Sequence, residues 1–181
     1  MPQLDSFATT ELAVLPDSLR VAIDAAEMPG LGGGASARGL SELLAGPLFL
    51  PPIPGLTDHA GLNLTKSQTD LCLSGLWLLA GDLDQSHSIS QDLTSAEGSF
   101  WHGIMHRREG DFGNAKYWFR KVGNHPVFQQ LQELCDGFYE DPFEFVDLCS
   151  RAVKQGGEDY QRCQLAQWIE WQALMIHCLK Q

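Results

Sequence analysis

The sequence predicts an all-α fold, and three observations carry that expectation. Apolar residues recur at helical spacing from Leu64 onward, as in Leu71, Gly75, Leu78 and Leu79, which stand at i, i+4, i+7 and i+8. Helix punctuation falls between such stretches. Gly110 suits a left-handed position just past a helix end, with Asp111 ready to cap the next helix, and Asp141-Pro142 places a capping carboxylate before a proline at the first helical position. The period-two alternation of half-buried strands is hardly visible. Helices are expected over 95–109, 111–122, 126–135, 142–155 and 159–180, after one that begins near 64.

The chain divides by composition into a segment 1–62 and a helical domain 63–181. The first segment reads as loosely structured. Asp17 is placed to cap a short helix reaching Met28, with Leu19, Ile23 and Ala26 on one face, and 36–44 forms another. Between them, Pro29-Gly30-Leu31-Gly32-Gly33-Gly34 costs too much backbone entropy for a regular element and reads as a linker. No Gly-Lys-Ser/Thr follows, so it is not a phosphate loop. Pro47 and Pro51-Pro52-Ile53-Pro54-Gly55 predict an extended apolar strap across the main domain.

Length and charge bound the function. With 181 residues, 44% of them hydrophobic, the chain can bury the core of one ordinary domain. A net charge of −11 disfavours nucleic acid and anionic membranes as partners. The longest uncharged run, from Leu43 to Thr57, contains four prolines and is no membrane span. The first residues, Met1-Pro2-Gln3-Leu4-Asp5, lack the basic and apolar regions of a signal peptide, which points to the cytoplasm. The five cysteines are never closer than 14 residues and form no metal-knuckle spacing, so they read as small core residues in a reducing compartment.

Within the helical region a short pattern repeats. Gly81-Asp82-Leu83-Asp84-Gln85-Ser86 lies over Gly110-Asp111-Phe112-Gly113-Asn114-Ala115 at an offset of 29 residues, and Gly75 and Gly103 upstream suit close helix crossings. The second copy resembles a tetratricopeptide repeat through Gly103, Gly110, Asp111, Phe112, Ala115, Phe119 and Pro126, although the offset is shorter than the usual ~34. The resemblance implies antiparallel helical hairpins of irregular, tetratricopeptide-like arrangement. The longer run from Trp101 to Arg120, with His102, His106-Arg107-Arg108-Glu109-Gly110-Asp111-Phe112, Asn114-Ala115 and Tyr117-Trp118-Phe119-Arg120, resembles an all-helical family that also carries an upstream Ser86-His87-Ser88-Ile89-Ser90-Gln91 segment. That resemblance implies the helical fold and directs attention to this run, but it supplies no reaction.

Residues 99–125 hold 5 basic groups against 2 acidic ones, a basic island in an acidic chain. His102, His106 and Glu109 stand at i, i+4 and i+7 on one helix face, and Asp111, Asn114, Trp118 and Lys121 make a second polar stripe. His87 and Gln91, one turn apart, are expected to face the same groove. One reading is a ligand site in which His87, Gln91, Arg107, Asp111, Asn114, Tyr117, Trp118 and Arg120 grip an acidic small molecule or an acidic segment of a protein partner. A second is a metal-dependent, hydrolase-like enzyme with His87, His102 and His106 as ligands to a divalent metal cofactor. His102 or His106 paired with Glu109 are its catalytic acid–base candidates. In a third, the polar cluster only braces the helices.

Overall fold

The computed structural model describes residues 3–34, 37–47 and 64–181, and within them all the regular structure is helical, without a strand. The expected Pro51–Gly55 strap lies outside the described residues. Among the described residues there are ten α-helices and one short 3-10 turn, Leu12–Val14. The first three helices are short: α1 Ser6–Thr9, α2 Asp17–Asp24 and α3 Arg38–Leu44. Then come α4 Lys66–Ala80, α5 Leu83–Ser90, α6 Ala96–Glu109 and α7 Phe112–Val122. The chain ends in α8 Pro126–Leu134, α9 Pro142–Gln155 and the long α10 Gly157–Lys180.

The repeated sequence builds a repeated joint. At the end of α4, Gly81 takes φ 85°, its N–H donates to the Leu78 carbonyl, and the Asp82 carboxylate accepts from the Gln85 backbone N–H at 3.0 Å. At the end of α6, Gly110 takes φ 90°, its N–H donates to the Arg107 carbonyl, and Asp111 accepts from the Asn114 N–H at 3.0 Å. Only glycine reaches this backbone conformation without strain, and the aspartate satisfies the first free N–H of the next helix. Each joint therefore turns the chain so that α5 packs on α4 and α7 on α6.

Small residues set how near the helices come. A methyl group at Gly75 would stand 2.7 Å from the Trp101 ring and 2.8 Å from Met175 Cε, so α4 meets α6 and α10 there at backbone range. The Trp171 indole N–H donates to the Gly75 carbonyl at 2.7 Å in the same gap. At Gly103 the ring of Phe119 lies 3.1 Å from where a methyl group would be, which seats α7 on α6. On α7, Ala115, Phe119 and Val122 are buried, as their spacing predicts. Trp168, Trp171, Leu174 and Met175 of α10 are buried and close the core where α10 packs on α4, α8 and α9.

The described parts of the N-terminal segment, 3–34 and 37–47, are built into this core. Ala8, Leu12, Leu15, Leu19, Ile23, Leu40 and Leu44 are all nearly inaccessible and belong to the same apolar cluster as the later helices. Asp17 is not the cap of α2: Pro16 occupies that place, and Asp17 pairs with Arg20 instead. The glycine run is docked, not free. The Pro29 and Gly30 carbonyls accept from Gln164 and Gln167 of α10, and the Leu31 N–H donates to the Tyr160 hydroxyl. Polar side chains on α10 supply hydrogen bonds that an irregular glycine-rich segment does not make within itself.

Candidate metal centre

Three histidines from two helices converge. His102 and His106 lie one turn apart on α6, and His87 reaches them from α5. The ring centroids are 4.6 Å apart for His87–His102, 5.5 Å for His87–His106 and 4.8 Å for His102–His106. One nitrogen of each ring lies within 4.8 Å of the other two. Bonds of ~2.0–2.1 Å to a tetrahedral metal require such nitrogens to stand roughly 3.3 Å apart, a closure that modest rotations of the rings supply. His102 and His106 are buried, and His87 is half-buried.

The hydrogen bonds around the rings decide which nitrogen each can offer. His106 Nδ1 lies 3.0 Å from Glu109 Oε2, and a carboxylate only accepts, so Nδ1 carries the proton and Nε2 presents a lone pair. Asn114 Nδ2 donates to that lone pair at 3.1 Å. His102 Nδ1 lies 3.2 Å from Ser90 Oγ, whose hydroxyl donates to the His87 carbonyl at 3.4 Å. Ser90 therefore accepts from His102 Nδ1–H, and Nε2 is again the nitrogen with a free lone pair. Metal-binding histidines are oriented in this way, each donating its second ring N–H to an outer acceptor.

The electrostatics point the same way. Burial, together with His106, His87 and Lys121 nearby, pushes the His102 imidazole down to about 4. It is neutral at pH 7, the state a ligand needs. Trp118 stacks on His102 at 3.9 Å between centroids and walls one side, and Lys121 Nζ sits 4.1 Å from the same indole.

Not every residue expected here belongs to the cluster. Asn114 and Trp118 touch the histidines directly, and Glu109 anchors His106. Tyr117 is exposed and meets Trp118 edge-on with Lys121 Nζ 5.0 Å from its ring centre, Asp111 is occupied as a helix cap, and the Gln91 side chain donates to the Ser88 carbonyl. Arg120 is exposed beside a different hollow of about 490 Å³ between α7, α8 and the start of α9. Arg107 must be removed from the set of ligand-gripping groups. It is 1% exposed, forms a bidentate pair with the fully buried Glu170, and lies 4.6 Å from the Phe145 ring. Arg108 is buried too, donating to the Leu78 carbonyl at the end of α4 and to Gly32. The basic island is thus split between two buried arginines on α6, Arg107 and Arg108, and an exposed pair on α7, Arg120 and Lys121.

A second cluster escaped the sequence reading. Glu97 at the start of α6 stands 3.4 Å from the Nε2 atoms of both His125 and His177, and it also accepts from the Gln181 side chain. By distance alone it matches the first cluster as a metal site. Its hydrogen bonds do not. The Val127 backbone N–H donates to His125 Nδ1 at 3.3 Å, so neutral His125 carries its proton on Nε2 and gives it to Glu97. The nitrogen facing the cluster has no lone pair to offer. Glu97, hydrogen-bonded to His125 and Gln181 with His177 at 3.4 Å, forms a clasp between the joint before α8 and the end of α10. The sequence gives no local sign of it, since the three residues lie 28 and 52 positions apart.

No family model, curated protein or solved structure matches this chain. Among the described residues no helix is long and apolar enough to cross a membrane.

Proposed function

We propose that the protein binds one divalent transition metal through His87, His102 and His106, with a fourth coordination position open for chemistry. The observation that carries this reading is the pair of outer hydrogen bonds, Glu109 on His106 and Ser90 on His102, which set both α6 imidazoles with Nε2 as the ligating nitrogen. Three imidazoles without a thiolate suit zinc, copper, nickel or iron. Three protein ligands with an open place are the pattern of catalytic zinc, where the metal makes bound water acidic and polarises a substrate oxygen. This chain's own residues hold and orient: Glu109 is the positioning residue for His106, Trp118 shields one side from water, and His87 closes the triangle from α5. Burial of Arg107 and Arg108 is why a purely basic groove for an acidic ligand is the weaker reading.

The test is metal analysis of the full chain purified without a histidine tag. Wild type is expected to retain or take up about one equivalent of Zn²⁺ or Co²⁺. Its unfolding free energy should rise by about 2.7 kcal/mol when free metal is a hundredfold above Kd. His102→Ala and His106→Ala, folded by circular dichroism, should lose both effects. A wild-type protein with no bound metal and no shift of the unfolding midpoint in the presence of these ions refutes the reading.

A further inference from the structure

We infer that the open position of this centre takes a small monoanionic oxygen ligand of the carboxylate class, and that Asn114 is the residue that holds it. The inference rests on the metal reading above and adds the ligand and the group that recognises it.

Charge comes first. A divalent ion on three neutral imidazoles brings two positive charges into a largely buried place. Among the described residues one carboxylate, Glu109, is bonded to a ring of the triad, at His106 Nδ1. Asp111 is turned to the backbone N–H of Asn114 as a helix cap. The metal-competent group here consists of the three histidines alone, with no carboxylate in it. Two positive charges against one negative leave a single net charge for an outside ligand to neutralise, and Lys121 beyond Trp118 adds to that field. In a chain of net charge −11 this is a localised positive spot, and a monoanion is what it selects.

Asn114 supplies the recognition. Its Nδ2 lies 3.1 Å from His106 Nε2, along the lone pair that a metal would use at ~2.0–2.1 Å. Amide and metal cannot both occupy that direction. Metal entry frees the amide N–H, and the nearest new acceptor is whatever oxygen sits on the metal. The backbone of Asn114 does not move with it, because its own N–H is fixed by Asp111 at the first turn of α7. The side chain therefore swings about a held anchor and donates to the bound anion.

The experiment uses the full chain loaded with Co²⁺, whose visible absorption reports its coordination, titrated with sodium acetate and, separately, with neutral acetamide. Acetate is expected to change the spectrum saturably while acetamide at equal concentration does not. Asn114→Leu is expected to weaken acetate about tenfold or more, the loss of a hydrogen bond to a charged group. The same variant should bind Co²⁺ at least as tightly as wild type, since the competing amide is gone. Cobalt binding without any acetate response overturns the inference and leaves the metal centre standing. Equal acetate affinity in wild type and Asn114→Leu overturns the role of Asn114. Failure of the wild type to bind Co²⁺ at all removes the metal reading and this inference together.

Discussion

Replacing Arg107 by methionine should remove a large share of this protein's stability without touching the histidine centre. The guanidinium is 1% exposed and Glu170 is completely buried. Arg107 Nη1 donates to Glu170 Oε1 at 3.2 Å, Nη2 donates to Oε2, and Tyr139 donates its hydroxyl to Oε1 at 3.3 Å. Burial pulls the guanidinium toward losing its proton, yet the Glu170 carboxylate beside it holds it charged, above its ordinary value. Removing one member of such a pair strands the other and costs about 3–5 kcal/mol. A domain has roughly 5–15 kcal/mol in total, so the loss is a large share. At about 2–4 °C per kcal/mol for a chain of this size, the melting midpoint should fall by roughly 6–20 °C.

Urea unfolding of Arg107→Met is the assay, with the triple variant Arg107→Met, Glu170→Leu, Tyr139→Phe as its partner. The triple variant strands neither a charge nor a hydroxyl, so it should recover most of the loss, because well-packed apolar replacements of buried pairs are often neutral or better. Metal uptake by both should equal wild type, provided it is measured where each is folded. An Arg107→Met protein within about 1 kcal/mol of wild type, or a triple variant as unstable as the single one, refutes the brace.

Two further outcomes follow from the packing and the clasp. Gly75→Ala should cost about 1–3 kcal/mol by overpacking, more than Gly103→Ala, because its methyl group would meet both Trp101 and Met175 below 3 Å whereas Gly103 faces a single ring at 3.1 Å; paired thermal melts compare them. Stability should also fall on acidification. Burial and the nearby His177 outweigh Glu97 and hold His125 below the ordinary imidazole range, while the backbone N–H, Ser95 and Gln181 hold Glu97 below the ordinary carboxylate range despite its burial. In both cases the unfolded chain binds more protons than the folded one. The His125 contribution is complete above about pH 6.5 and is lost below it, and the Glu97 contribution is lost only below the usual carboxylate range. His102, pushed down to about 4, adds to the same decline. Urea unfolding between pH 7.5 and 5 should therefore show a shallower decline for His125→Gln than for wild type, and an identical decline would remove the clasp as one of its sources.

Much of the architecture was legible because it is set by local rules. The apolar stripe of α7, the Gly–Asp joints at 81–82 and 110–111 and the Asp141-Pro142 start of α9 each act within a few residues, so spacing and side-chain type are enough to locate them. Gly75 and Gly103 were recognisable as close crossings for the same reason, although the aromatic rings they admit were not. The i, i+4 pair His102 and His106 is likewise a local fact, written in helical periodicity before any tertiary contact forms.

What the sequence by itself determined, then, was a helical chain with two histidines on one face. Tertiary structure decided the rest. Whether His87 joins them depends on how α5 lies across α6, which no local pattern encodes. Arg107 and Arg108, next to each other in the same basic run, are turned inward by their place on α6, onto Glu170 and the end of α4, groups 63 and 30 residues away. The glycine run looked like a linker because its partners, Gln164, Gln167 and Tyr160, belong to a helix more than a hundred residues later. Local backbone preferences act over a few residues and can be read along the chain. Burial and charge pairing depend on which distant surfaces meet, and only the folded chain brings those together.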